Sequence, residues 1–148
     1  MRVLILGATI FLGRHVVDEA LRRGHELTLF TRGKHGTGPM GVEHVAGDRA
    51  DVTPLHGRNW DAIDTSGYEP GHVKASRQRV STAVWVRRIR EGKPVPAPGR
   101  PDLGVQIIDA RDLAAFLLDL AERRLTGAFN GTAPIGQTTM GELLAGVW

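Results

Sequence analysis

The chain contains no cysteine. That excludes disulfides, thiolate catalysis and cysteine-based zinc sites, and it is compatible with a reducing compartment. Long apolar runs are missing too. Met1–Leu6 is mostly apolar, but the run is too short for a signal-peptide core and Gly7 breaks it. No stretch approaches the length of a membrane span, so a cytoplasmic protein is expected. The six histidines are scattered, with no His-x-x-x-His pair among them, and no nucleophile elbow is present. No metal site is expected. Charge of one sign is modest, at a net +3. The basic clusters Arg22-Arg23, Arg87-Arg88-Ile89-Arg90 and Arg123-Arg124 each fall on an expected helix beside acidic neighbours. They read as solvated helix faces and helix-end charges in preference to a nucleic-acid surface.

What is present is an ordinary globular composition, 41% hydrophobic over 148 residues. That length supports one domain with a real core. It is short for two domains of ordinary size.

Val3 to Leu6 is a continuous apolar run ended by Gly7, as in a buried parallel strand. Phe11 to Arg23 has helical spacing, with Leu12, Val16, Val17, Ala20 and Leu21 on one face and Gly24 as a stop. Glu26 to Phe30 is a second strand. Together these make a βαβ unit with an expected right-handed crossover. Thr31 to Met40 is a loop, Val42 to Ala46 a third strand, Asp51 to His56 a short helix and Trp60 to Thr65 a fourth strand. Pro70 to Gln78 and Val80 to Arg90 read as helices, and Gly92 to Gly104 as loop. Val105 to Ile108 and Ala128 to Asn130 read as strands. Ala110 to Arg124 is an amphipathic helix, and Thr139 to Val147 a last helix with Thr139 and Glu142 placed as a capping box. The fold expected is α/β: a Rossmann-like, doubly wound, mostly parallel sheet with an incomplete second half. Residues 1–68 would form the dinucleotide-binding half. Residues 69–148 would be the remnant of a substrate-side part, packed with the first as one domain.

The strongest motif is Gly7-Ala8-Thr9-Ile10-Phe11-Leu12-Gly13 between the first strand and first helix. Gly7 lets the chain turn sharply, and Gly13 lets the helix pack closely on the sheet. The helix N-terminus offers N–H groups and partial positive charge to a pyrophosphate. After the second strand, where an acidic residue would bind the 2′-hydroxyl of NAD, stand Thr31 and Arg32, with Lys34 nearby. Hydroxyl and cationic groups suit a 2′-phosphate, so NADP is expected in preference to NAD.

The run Gly7-Ala8-Thr9-Ile10-Phe11-Leu12-Gly13-Arg14-His15-Val16-Val17 resembles the Gly-x-x-Gly-x-x-Gly loop of the extended short-chain dehydrogenase/reductase family, whose members include NAD-dependent epimerases and dehydratases. Ile10 replaces the middle glycine. In one atypical subgroup that slot usually holds arginine, in a Gly-Gly-Thr-Arg-Phe-Leu-Gly pattern shared by epimerases and chloroplast stem-loop-binding proteins. Leu29-Phe30-Thr31-Arg32-Gly33-Lys34 is similar to the same subgroup. Gly47-Asp48-Arg49 resembles the turn after the third strand, where the resemblance implies that the acidic side chain meets the adenine amino group. Asp48 equally suits a helix cap. Thr65-Ser66-Gly67 resembles the turn that covers the cofactor. Ile107-Ile108-Asp109-Ala110-Arg111-Asp112-Leu113-Ala114 and Phe129-Asn130-Gly131-Thr132-Ala133-Pro134, followed by Met140-Gly141-Glu142-Leu143-Leu144, are similar to the family's C-terminal part. Asp109 and Asp112 stand near a helix start, where capping is the simpler role. The stretch from Val86-Arg87-Arg88-Ile89 through Pro98-Gly99-Arg100-Pro101 looks like the substrate-side segment.

The family's catalytic pair is a tyrosine with a lysine four residues on, one helix turn apart. The lysine lowers the tyrosine pKa for acid–base work. The single tyrosine here is Tyr68, with His72 four residues on and Lys74 six on. It stands just after the fourth strand, too early for the family's catalytic helix. No catalytic residue is assigned. The chain reads as internally shortened, with the join between Lys74 and Val84. The expectation is a nucleotide-binding oxidoreductase or epimerase homologue with little or no turnover. The rivals are a non-enzymatic NADPH sensor with a protein partner, and an RNA-binding protein. A strand left open by the shortening would be relieved by the Val105–Ile108 strand folding back beside the fourth strand, or by a second chain.

Overall fold

Apolar side chains on both faces of a strand require cover on both sides, and that requirement organises the first part of the molecule. The computed structural model describes residues 1–8, 11–34, 36, 38–64, 88–94 and 99–146. Strand β1 is Arg2–Leu6, helix α1 Leu12–Arg22, β2 Glu26–Thr31, β3 Glu43–Ala46 and β4 Ala62–Asp64. A 3₁₀ turn, Thr53–Leu55, precedes β4. The four strands are parallel, in the order β3-β2-β1-β4. Val3 and Ile5 stand beside Leu27 and Leu29, and Phe30 beside Val45. One face of the sheet carries Val3, Ile5, Leu27 and Leu29 against Val16, Val17 and Ala20 of α1 and against Ala114 and Leu118 further along. The other carries Leu4 and Phe30 against Leu55, Leu6, Val45 and Trp60. Each large side chain removed from water here contributes roughly 1.5–3 kcal/mol.

On the second face Thr28 is buried within β2. Its hydroxyl accepts from Trp60 Nε1 at 3.1 Å and donates to Glu43 at 3.0 Å. That satisfies a polar group which burial would otherwise penalise.

Helix α1 ends in a Schellman motif. Gly24 has φ +76°, its N–H donates to Leu21 O at 2.9 Å, and the His25 N–H donates to Ala20 O at 3.0 Å. Leu21 is exposed, because it falls at the edge of the stripe centred on Val16 and Ala20. Helix α2 is Ala110–Glu122. Asp109 caps it by accepting from the Arg111 N–H at 2.8 Å. It closes with the same motif, but the left-handed residue is Arg124 at φ +52°.

The sequence-distant helices α1 and α2 are joined through Arg23. Its guanidinium donates to Glu19 (2.8 Å), Asp119 (2.7 Å), Glu122 (3.0 Å) and the Ala115 carbonyl (3.2 Å). The Arg22 and Arg23 guanidiniums hold the Glu19 carboxyl down to about 2. His25 bridges Glu122 at 2.8 Å and the Met1 amino group at 3.3 Å.

The chain divides into two compact units, Met1–Gly67 with Ile108–Gly131, and Tyr68–Ile107 with Thr132–Trp148. This differs from the division at 68/69 expected from the sequence. Helix α2 belongs with the first unit because Ala114 and Leu118 complete its core.

In the second unit β5, Gly104–Val105, pairs antiparallel with β6, Thr138–Thr139. Of the expected Val105–Ile108 strand only Val105 is strand, residues 106–108 lying outside it, and the partner of β5 is β6. The expected fold-back beside the fourth strand is corrected accordingly. Among the described residues β4 pairs with β1 alone. The strand expected at Ala128–Asn130 is not formed either. Phe129 instead sets its ring edge-on to Phe116 at 6.4 Å. Helix α3, Met140–Ala145, carries the expected capping box. Thr139 Oγ1 accepts from the Glu142 N–H, and the Glu142 carboxylate accepts from the Thr139 N–H. The helix expected at Pro70–Gln78 lies outside the described residues, as does all of Val80–Arg90 except helical residues 88–90. Among the described residues no helix is long and apolar enough to cross a membrane.

Candidate functional site

Parallel strands send all their following loops to one edge, so the motifs after β1, β2 and β3 converge at the carboxyl end of the sheet. Gly7 leaves β1 with φ +91°, a conformation that a side chain strains, and its N–H donates to Phe30 O at 3.1 Å. The loop after β3 is tied to the same edge, because the Gly47 N–H donates to Thr31 O at 2.9 Å.

Gly13 is buried in the first turn of α1. A Cβ there would lie 2.9 Å from Ala8 Cα and 3.1 Å from Gly7 O. The close approach that demands glycine is thus between α1 and the Gly7–Ala8 backbone, more than between α1 and the strands. Phe11 stands at the N-cap with φ +34° and ψ −107°, a sparsely populated conformation for a bulky residue. The residue is 68% exposed, and its ring meets His15 edge-on at 6.2 Å. The cap makes no side-chain hydrogen bond, and the first turn carries no acidic residue. Leu12 is half-buried behind it. The start of α1 thus presents its N–H groups and the positive end of its dipole with no acidic residue in its own first turn to neutralise them.

Thr31 ends β2 buried. Its hydroxyl is paired with His44 Nε2 at 2.6 Å and accepts from the Gly33 N–H at 3.2 Å. His44 is a neighbour that sequence motifs did not supply. The pairing places Thr31 beside Ala46, and His44 lies two residues back on the same face of β3. Only knowledge that β2 and β3 are adjacent would have revealed it. Arg32 and Lys34 are exposed. Arg32 Nε stands 3.9 Å from Asp48 Oδ2, a loose, solvent-facing pair. Asp48 accepts from the Ala50 N–H at 3.0 Å, so it shapes the turn; Asp51, not Asp48, accepts from the Thr53 N–H that begins the 3₁₀ turn. Arg49 reaches back and donates to the Leu6 carbonyl at the end of β1. Gly7, Phe11, Leu12, Gly13, Thr31, Arg32, Lys34, Asp48 and Arg49 are all placed along this one edge. Thr9, Ile10, Thr65, Ser66, Gly67 and Tyr68 lie outside the described residues.

Asp109 belongs to the start of α2. The Arg111 guanidinium holds its carboxyl far below the usual range, helped by the Arg111 N–H and more weakly by His15. This is a capped, ion-paired carboxylate and not one poised for proton transfer near neutral pH.

No family model matches the chain, and no curated protein matches it in sequence. Solved structures do match. The UDP-glucose 4-epimerase of Thermus thermophilus, in complex with NAD, superposes with a TM-score of 0.65 at 15% identity, covering 99% of this chain and 82% of that one. The UDP-N-acetylglucosamine 4-epimerase of Bacillus cereus gives 0.63 at 12% identity, covering 97% of this chain and 79% of that one. The fold is Rossmann-like α/β, with a mostly parallel sheet and flanking helices. It is a fold that the chain shares with these two 4-epimerases.

Proposed function

We propose that the chain binds a nicotinamide dinucleotide at the carboxyl edge of the sheet, with the pyrophosphate over the Gly7–Gly13 loop. The observation that carries this is the start of α1: a positive-φ glycine turn, a glycine packed on the loop backbone, and a first turn without acid or side-chain cap. Such a helix start favours an anion. The neighbouring cations fit a phosphate-bearing ligand, and Arg32 with Lys34 favours NADP over NAD. The resemblance of the loop motifs to short-chain dehydrogenases and the epimerase fold both support a dinucleotide.

The reading extends to a homologue of oxidoreductases and epimerases with little or no turnover. No Tyr-x-x-x-Lys exists in the sequence, and no other group at this edge replaces that pair among the described residues. A sensor that binds NADPH and a protein partner fits the same site. The RNA reading is weaker, because Arg22 and Arg23 are engaged with Glu19, Asp119 and Glu122.

Calorimetry with NADPH, NADH and a structured RNA tests the proposal. Expected is binding of both nucleotides, NADPH the tighter. Binding of RNA with no response to either nucleotide would refute it. Turnover is checked by following nicotinamide absorbance with candidate nucleotide sugars. A robust hydride transfer that Tyr68→Phe abolishes would overturn the non-catalytic reading.

A further inference from the structure

Arg49 follows β3, yet its guanidinium donates to the carbonyl of Leu6 at the end of β1. Because β2 lies between β3 and β1 in the sheet, the loop and this side chain together reach past the end of β2. The side chain comes to rest on Gly7: a Cβ built on that glycine would collide with the Arg49 guanidinium before any other atom. Gly7 therefore does two things. Its positive φ makes the turn, and its missing side chain leaves the place that the guanidinium occupies. Arg49 is itself solvent-exposed, so the guanidinium sits on the outer surface of the loop and not beneath it.

A dinucleotide lying over the carboxyl ends of β1 and β2 passes through this place. A guanidinium there meets phosphate oxygens with a planar, always-charged fork. Among its interactions, the bond to Leu6 is to a neutral carbonyl. A phosphate offers a charge-assisted bond, roughly twice as strong. We propose that Arg49 is the residue that takes the charge of the cofactor's pyrophosphate, exchanging the Leu6 carbonyl for a phosphate oxygen when the nucleotide binds. This rests on the dinucleotide reading above and assigns Arg49 a role separate from that of Arg32. Arg49 serves the diphosphate common to NADH and NADPH; Arg32 serves the 2′-phosphate found only in NADPH.

The test is calorimetric titration of wild type, Arg49→Ala and Arg49→Lys with NADPH, NADH, ADP and adenosine at two salt concentrations. Melting curves confirm that each variant folds. Expected is a loss of roughly 10- to 100-fold for Arg49→Ala with NADPH, NADH and ADP alike. Adenosine affinity should be unchanged, and salt dependence shallower than in wild type. Arg49→Lys keeps the charge without the fork and should recover part of the loss. A wild type that binds ADP and the dinucleotides, with Arg49→Ala equal to it, overturns the role of Arg49 and leaves the dinucleotide reading standing. Tighter binding by Arg49→Ala shows that the side chain obstructs the site, and also overturns the inference. A wild type that binds none of the four overturns both.

Discussion

Gly13→Ala sets two effects of known sign against each other. Replacing glycine by alanine inside a helix ordinarily stabilises it by roughly 1 kcal/mol, and by less in the first turn. Here the new methyl would lie 2.9 Å from Ala8 Cα, where ordinary contact begins at 3.4 Å. The atoms it meets are backbone and cannot rotate away, so helix and loop must separate by about 0.5 Å, the difference of those distances. Overpacking of this kind costs typically 1–3 kcal/mol. The expected net is a destabilisation of about 0–2 kcal/mol, a fall in melting temperature of no more than about 8 °C. Nucleotide affinity should fall further than stability. A cradle that must hold a phosphate within about 0.5 Å has been opened by that amount, and a loss of roughly 10-fold or more is expected. Gly13→Val, larger still, should abolish binding. The assay is thermal unfolding beside a fluorescence titration with NADPH. A variant that melts about 2–4 °C higher, the shift of about 1 kcal/mol, and binds NADPH as tightly as wild type would refute the close approach on which the site is built.

Arg32→Ala should erase the preference for NADPH, a loss of about 1.5–3 kcal/mol, and leave NADH affinity almost unchanged; equal wild-type affinities would refute the assignment. Arg124→Gly relieves a left-handed arginine at the end of α2 and should stabilise by about 0.5–1 kcal/mol, seen as a higher denaturant midpoint at unchanged slope; a lower midpoint would mean the arginine makes a contact worth more than its strain. Arg23→Met leaves three carboxylates around an apolar stem and should destabilise by about 1–2 kcal/mol; a neutral result would show the clamp to be ornamental. The Glu19 pair adds a pH dependence. Its carboxyl is depressed from 4.5 to about 2 by the two arginines, so its contribution is fully present above about 4.5 and is lost as pH falls through 2. Glu19→Gln should flatten the melting-temperature profile across that window, and an unaltered profile would contradict the pairing.

The βαβ unit was legible because its signals are local. Val3–Leu6 is an uninterrupted apolar run, Val16, Val17 and Ala20 recur at helical spacing, and Gly24 stops the helix. The caps at Asp109 and Thr139 could be read for the same reason, since a cap and its N–H group lie within three residues of each other. What stayed hidden depends on pairing between distant segments. Arg23 reads as one of two adjacent surface arginines until the helix carrying Asp119 and Glu122 is laid beside it. Val105 has no local feature that names Thr138 as its partner, and Phe129 has strand-like neighbours but finds an aromatic contact instead. At the site, the glycines were legible from the turn they must make. The contacts of Arg49 with Leu6 and of Thr31 with His44 were not, because each needs the strand order β3-β2-β1 to be known first.

The union of an N-terminal half-sheet with a helix close to a hundred residues later also sets the order of events during synthesis. Arg23 and its partner Asp119 are separated by 96 residues. Closing a loop of that size costs on the order of 4 kcal/mol of chain entropy, and it must be met before Ala114 and Leu118 can cover the sheet. A ribosome adding about 5–20 residues per second needs roughly 3–11 s to move from Asp64 to Leu118. Through that interval the α1 side of β1 and β2 lacks the cover of α2, and the apolar surface left open faces water or a chaperone. Fragments that stop before Ile108 would stay in that condition permanently, so limited truncation from the C-terminal side should convert a folding protein into a sticky one abruptly, at the residues that build α2.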